Sequence, residues 1–272
     1  MSPGPLNVLE LFAGIGGLSL GLQRAGMRIV GHVEINPFCR AVLHKHWPEV
    51  PAHDDVRSAL TWWRSQPRPR VDVVAGGYPC QPESLAGPRR GTDDHRWLWP
   101  EMARVIHALR PRYVIGENVM GHRTRGLRFV LRDLECLGYA ATPGIVSAGE
   151  VGAPHRRQRI FVLAVLADSE GGGFDSGSEL RPDSSRRRRT EPARSRPALA
   201  DSHGPRRQPW SGLGPARTAA ERARWWTTEP DVGRVAHGVP DRVDRLRALG
   251  NAVVPQVAEH IGRIVLDHHE SR

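Results

Sequence analysis

Cys80 stands in Gly76-Gly77-Tyr78-Pro79-Cys80-Gln81-Pro82, directly after the apolar run Val71-Asp72-Val73-Val74-Ala75. A cysteine on a proline-pinned turn at the carboxyl end of a buried strand is rigidly presented. It becomes a strong nucleophile once positive groups or a helix start lower its pKa. A buried, inert thiol is the commoner reading; it describes Cys39 and Cys136, and the flanking Pro79 and Gln81 make it a poorer description of Cys80. Gly116-Glu117-Asn118-Val119 also follows a strand. A carboxyl group there can hydrogen-bond the edge of a heterocycle and, when protonated, act as a general acid. His155-Arg156-Arg157-Gln158-Arg159-Ile160-Phe161 runs basic residues into a third strand. Alternation puts Arg157 and Arg159 on one face, where two guanidinium groups suit phosphate or carbonyl oxygens, or else form a solvated basic edge.

A second group of motifs suits a ligand rather than a reaction. Phe12-Ala13-Gly14-Ile15-Gly16-Gly17 joins a strand to a helix. Glycines let the backbone approach a ligand closely, and the helix start adds partial positive charge, so such loops often hold nucleotides. A plain tight turn is the alternative. The next strand ends Val33-Glu34-Ile35-Asn36, which sets an acid at the carboxyl edge of the sheet, able to accept from two ribose hydroxyls. Asp54-Asp55 precedes Val56 at the end of another short strand and offers an acceptor for an amino proton, or a solvated loop carboxylate. Leu249-Gly250-Asn251-Ala252-Val253-Val254-Pro255 reads as a turn leading into the last long helix.

The elements that must position these groups alternate. Strands are expected at 7–12, 27–33, 71–75, 112–115 and 159–167, with helices at 18–25, 37–46, 100–109 and 127–137. Such alternation implies an α/β fold, a mostly parallel sheet with helices on both faces. From Ala167 the character changes to Gly, Ser, Pro, Asp and Arg, with few apolar residues, a composition that stays partly disordered until it binds something. Leu166-Ala-Asp-Ser-Glu-Gly and Leu199-Ala-Asp-Ser-His-Gly are near-copies, too few for a repeat architecture. Helical patterning resumes at 242–249 and 253–266.

The 272 residues carry 39 Lys+Arg against 29 Asp+Glu, a net charge of +10. Lys45 is the single lysine, so nearly all of that charge is arginine. A polyanionic partner is the simplest reading, most simply nucleic acid, with codon bias toward arginine as an equal explanation. Between Arg181 and Arg224 twelve arginines face four acids. No apolar run approaches the roughly 18 residues of a membrane span, and Met1–Leu6 shows no secretory signal. Three widely spaced cysteines exclude a disulfide framework or zinc cluster and point to a reducing, intracellular compartment.

Taken together and in order, the five motifs resemble the DNA (cytosine-5)-methyltransferase family. The elements that carry the likeness are the glycine loop, Pro79-Cys80-Gln81, Glu117-Asn118-Val119, Arg157-x-Arg159 and Gly250-Asn251-x-Val253, and they span residues 6–166 and 232–266. The resemblance implies a Rossmann-like S-adenosylmethionine-dependent methyltransferase fold. A catalytic domain would comprise residues 1–166 and 236–272, and a small irregular, arginine-rich target-recognition region residues 167–235. It implies that Phe12, Ala13, Gly14, Gly16, Gly17 and Leu18 line the cofactor pocket, with Glu34 on the ribose, Ile35 against the adenine, and Asp55 and Val56 at the adenine edge. Pro79, Leu98 or Trp99, Asn251 and Val253 would complete the pocket. Cys80 would be the nucleophile, Glu117 the group on ring nitrogen 3, Arg159 a ligand of the base carbonyl, and Arg157 its support. Gln81 would meet DNA, as would Ser84, Arg89 and Arg90 on a loop, 84–91, that closes over the flipped nucleotide.

The implied chemistry explains these residue types. Carbon 5 of cytosine is a weak nucleophile toward a methyl sulfonium. Thiolate addition at carbon 6 makes it enamine-like, and proton donation at nitrogen 3 stabilises the charge that develops. Loss of the carbon 5 proton and of the thiolate then releases product. The implied setting is intracellular, a monomer on double-stranded DNA without metal or membrane, with a cognate restriction endonuclease as candidate partner. The chain departs from the family pattern at Glu83, His155 and Ala252. An acid at 83, beside a DNA-facing loop, repels phosphate and motivates a second reading, a catalytically weak DNA- and cofactor-binding relative. RNA cytosine-5 methylation is a third. Trp225-Trp226 reads as a core anchor ahead of a base-stacking pair.

Overall fold

A computed structural model describes residues 4–79, 97–153, 155–167 and 242–271. The chain begins β1 (Asn7–Leu11), α1 (Gly17–Ala25), β2 (Arg28–Val33), α2 (Pro37–His46), β3 (Ala52–His53), α3 (Ala59–Arg64) and β4 (Val73–Gly76). It continues α4 (Trp99–Leu109), β5 (Tyr113–Val119), α5 (His122–Arg125), α6 (Leu127–Cys136), β6 (Tyr139–Ser147), a 3-10 turn (Ala148–Val151) and β7 (Gln158–Leu166). Two further helices follow, α7 (Arg242–Asn251) and α8 (Pro255–Glu270). One seven-stranded sheet runs β3-β2-β1-β4-β5-β7-β6. Its pairs are parallel except those made by β7, which is antiparallel to both β5 and β6.

Period-two alternation sorts the strands onto two faces. Val8, Val73, Ala75, Tyr113, Ile115 and Phe161 pack beneath α1 and α8, with Leu18, Leu22, Val257, Ile261 and Val265. Their strand neighbours Leu9, Leu11, Val74, Val114 and Val162 face the other way, against Trp63 of α3, Met102 and Ile106 of α4, and Val130 and Leu134 of α6. The expected α/β sheet with helices on both faces is therefore the observed architecture. No helix among the described residues is long and apolar enough to cross a membrane.

Three expectations need correction, and one strand was not expected. Glu117 and Asn118 lie within β5 rather than after it, because the antiparallel partner β7 keeps the ladder paired out to Val119. Gly250 and Asn251 are not a turn but the last residues of α7; the break comes at Ala252–Val254. Cys136, read as buried, is exposed, since it ends α6 on the side away from Val130 and Leu134. Strand β6 was absent from the sequence reading; its Pro143 and Gly144 disguise a strand that a sheet edge tolerates. The recognition region 168–235, with Trp225-Trp226, lies outside the described residues.

Helices α1 and α8 meet through small residues. A Cβ on Gly21 would strike Ala258 and the backbone of Pro255 and Glu259, and one on Gly262 would come within 2.7 Å of the Ala25 Cβ. Gly21→Ala is expected to destabilise the fold by about 1–3 kcal/mol, the usual cost of overpacking a close contact. Gly121→Ala, at a site with no atom within 4 Å, is the neutral control. Chemical denaturation of both variants checks this.

Candidate active site

One cavity of about 420 Å3 opens at the carboxyl ends of β1, β2, β4 and β5, and the link between α7 and α8 forms part of its wall. The chain leaves β1 through a run of left-handed residues: Phe12 at φ 56, Gly14 at φ 55 and Gly16 at φ 83. A phenylalanine held there is strained, which is tolerated where the surroundings fix the backbone. Gly16 answers two demands at once, since it accepts the positive φ and leaves room for the Trp47 ring, which a Cβ would overlap. That ring covers Gly16, which is not on the cavity wall. Phe12, Ala13, Gly14, Gly17 and Leu18 are. A Cβ on Gly17 would run into the Val253 carbonyl, so the C-terminal link lies directly against the start of α1.

Glu34, just past β2, is held from two sides. Its Oε2 accepts from the Gly14 amide at 2.7 Å and its Oε1 from the Asn36 amide at 2.8 Å. Arg40 donates to the carbonyls of Glu34 and Ile35 at 2.8 and 2.7 Å, and the Asn36 side chain caps α2 by accepting from the Phe38 amide at 2.9 Å. Each carboxylate oxygen keeps a further lone pair. Ile35 lines the cavity and is 67% exposed, unusual for a large apolar side chain. Asp55, Val56, Pro79, Asn251 and Val253 also line it. Trp99 does not. It is 1% exposed, packed in the core beside Tyr78, and its Nε1 donates to Asp133 Oδ2 at 3.0 Å. The preceding residue, Leu98, occupies the wall instead.

At the other end of the same cavity lie Glu117 and Arg159. Register pairs Val119 with Arg159 across β5 and β7, so Arg159 reaches Glu117 diagonally on one face. Arg159 Nε stands 2.9 Å from Glu117 Oε1, an ion pair whose angles leave that oxygen without a hydrogen bond among the described residues. Burial pushes the Glu117 carboxyl up to about 7, against the pull of Arg159 and then Arg157. Gly77 carries the backbone past this carboxyl, and a Cβ there would fall 2.8 Å from Oε2. Arg157 is not on the cavity wall. Its Nη2 donates to the Gly250 carbonyl at 2.7 Å, and burial, followed by the charge of Arg159, holds its pKa down.

The turn before Cys80 is pinned by side chains to which the sequence assigned no role. Asn118 Nδ2 donates to the Tyr78 carbonyl at 2.9 Å, and the Tyr78 hydroxyl lies 3.0 Å from Nε2 of the buried His122. Asn118 stood in the Glu117-Asn118-Val119 motif and Tyr78 in the Cys80 motif, but nothing in the sequence pointed to His122. Cys80, Gln81, Ser84, Arg89 and Arg90 lie outside the described residues. Cys39 is buried as expected, and burial pushes its thiol up to about 11.

A model of the C-5 cytosine-specific DNA methylase family matches residues 6–205. The chain belongs to this family. Type II methyltransferase M2.BsuMI of Bacillus subtilis (strain 168) is 33% identical over 187 residues, which are 65% of this chain and 46% of that relative. Type II methyltransferase M.Eco47II of Escherichia coli is 36% identical over 174 residues, 61% of this chain and 41% of its own. Among solved structures, one described as a DNA modification methyltransferase encoded within an E. coli prophage aligns at 30% identity and a TM-score of 0.51. That alignment covers 59% of this chain and 47% of the other. The chain thus spans less than half the length of these relatives.

In this member of the C-5 methylase family the ion pair limits how far burial raises the acid. Arg159 favours the Glu117 carboxylate, so its removal raises the pH at which Glu117 loses its proton. Arg159→Ala is expected to move the Glu117 titration above about 7, measured by carboxyl-carbon NMR. An unchanged midpoint would show that the pair carries no electrostatic weight.

Proposed function

We propose that this chain methylates carbon 5 of a flipped-out cytosine in double-stranded DNA, using S-adenosylmethionine and a covalent Cys80 adduct. The observation that carries the reading is the shared cavity. A glycine loop and a sheet-edge carboxylate, Glu34, stand at one end, and a buried carboxyl paired with arginine, Glu117 with Arg159, at the other.

The residues present fit the cofactor. Glu34 offers free lone pairs for a pair of ribose hydroxyls, Ile35 an open apolar face for a purine, and Gly14 a backbone with no atom within 4 Å of where its Cβ would stand. Asp55 and Val56 border the same space, and Asn251 and Val253 close it; about 420 Å3 suits a small-molecule site. When bound, the cofactor supplies an electrophilic methyl group. The protein prepares the base. The Cys80 thiolate adds at carbon 6, which makes carbon 5 nucleophilic. Glu117, poised near neutrality by burial, gives a proton or a hydrogen bond to nitrogen 3. Arg159 steadies Glu117 and offers a donor to the base carbonyl, while Arg157 fixes the end of α7 by gripping Gly250. Thiolate elimination after loss of the carbon 5 proton frees the product.

DNA contact falls to Gln81, Ser84, Arg89 and Arg90 and to the arginine-rich region 167–235, whose charge gives steeply salt-dependent binding. The protein acts inside the cell, as a monomer, in a restriction-modification setting.

Labelled methyl transfer to DNA of mixed sequence, followed by base analysis, is expected to place label on carbon 5 of cytosine. Label on adenine or on cytosine nitrogen 4 would sink the reading, and preference for transfer RNA would redirect it. Cys80→Ala is expected to abolish transfer and the trapped adduct with 5-fluorocytosine DNA. Glu117→Gln, which keeps a donor but cannot give up a proton, should slow transfer by about 10²–10⁴-fold.

A further inference from the structure

Three polar side chains lie inside the layer between the sheet and α1 and take no part in the chemistry above. Glu10 is 2% exposed, Ser19 0% and His32 1%. Ser19 donates to Glu10 Oε2 and its hydroxyl is 2.8 Å from His32 Nε2. Glu10 and His32 are direct cross-strand partners of β1 and β2, with His32 Nε2 3.9 Å from Glu10 Oε2. Their positions are telling. Glu10 is two residues before Phe12, Ser19 two after Gly17, and His32 two before Glu34. One buried network therefore ties together the three segments that shape the glycine-loop end of the cavity, and Glu10 is itself on the cavity wall.

A carboxylate at this depth calls for a cation. Among the described residues no arginine or lysine forms an ion pair with Glu10. Ala75, its partner on β4, is uncharged, and the further charge that bears on it is Glu34, of the same sign. His32, edge-on to Trp47 at 5.5 Å, is itself desolvated, and its pKa falls to about 4. Burial pushes the Glu10 carboxyl up to about 8, against the Ser19 hydrogen bond. Burial thus favours a neutral acid and a neutral imidazole, joined by a hydroxyl. That hydroxyl can reverse direction. It donates to Glu10 in the carboxylate form and toward His32 in the acid form.

We infer that Glu10 couples the binding of a cationic cofactor to release of a proton, and so favours the sulfonium form of the cofactor over its thioether product. The inference rests on the cofactor reading above. The balance is simple: the Glu10 acid loses its proton to solvent as the positive ligand enters, leaving a carboxylate beside a cation. Methyl transfer removes one positive charge from the ligand, and Glu10 then takes a proton back, which loosens the spent cofactor.

The test is isothermal titration of the full chain with S-adenosylmethionine and with S-adenosylhomocysteine, in phosphate and in Tris. The expected result is a buffer-dependent heat that reports proton release, larger for the sulfonium ligand. Its affinity should rise with pH, by at most about tenfold per pH unit, and level off above about 8. Glu10→Gln should still bind, lose that share of proton release, and discriminate less between the ligands. Glu117 titrates in the same cavity, so Glu117→Gln is the control that retains the Glu10 share. Ser19→Ala removes a hydrogen bond that favours the carboxylate and should shift the pH midpoint of affinity upward, which a merely structural serine would not do. Buffer-independent heats in the wild type, or proton release and ligand preference unchanged in Glu10→Gln, would overturn the inference alone. Failure of the wild type to bind either ligand would overturn the cofactor reading and this inference with it.

Discussion

Parallel pairing of β2, β1, β4 and β5 makes every strand in the middle of the sheet end at the same edge. The glycine loop, Glu34, the Gly77–Pro79 turn and Glu117 all come from those ends, so they meet without any long connection having to seek them out. The antiparallel β7 completes the set from the opposite direction, because its first residues, not its last, arrive at that edge. Arg159 can therefore face Glu117 only because one strand runs against the others.

Within that common edge, three of the carboxyl groups that line the cavity are kept in different conditions by different means. Glu34 accepts two backbone amides. Glu117 is buried but faces arginine, so its rise stops near 7. Glu10 is buried beside Ser19 and a neutral imidazole, with no arginine or lysine paired to it among the described residues, and rises further, to about 8. Burial sets the direction in the last two, and the neighbouring cation sets how far. A hydrogen-bonding carboxylate, a proton donor and a desolvated acid can thus share 420 Å3.

Much of this was legible in the chain because apolar runs bounded by glycine turns mark strand ends, and strand ends carry the motifs. The helix at 37–46 matches its observed bounds because Pro37 marks its first turn, and the Asn36 cap is seen only in the structure. What escaped depends on partners distant in sequence. The continuation of β5 through Glu117 follows from β7, some forty positions on, and β6 is a strand only because β7 pairs with it. Trp99 looked like a pocket residue, but Asp133 and Tyr78 draw it into the core and leave Leu98 on the wall. Glu10 and His32 were visible only as polar letters inside apolar strands, and Ser19 as an ordinary helix residue. Only the packing of α1 onto β1 and β2 joins them.

The close seating of α8 on α1, and of Val253 on Gly17, also has a consequence during synthesis. On the ribosome the sheet's first strands and α1 emerge long before α8, so α1 waits with one apolar face uncovered while the rest of the chain is made. The wall formed by Asn251 and Val253 is the last to arrive. A nascent chain consequently has no finished cavity until α8 has been made. The uncovered face of α1 is meanwhile apolar surface that a chaperone can cover.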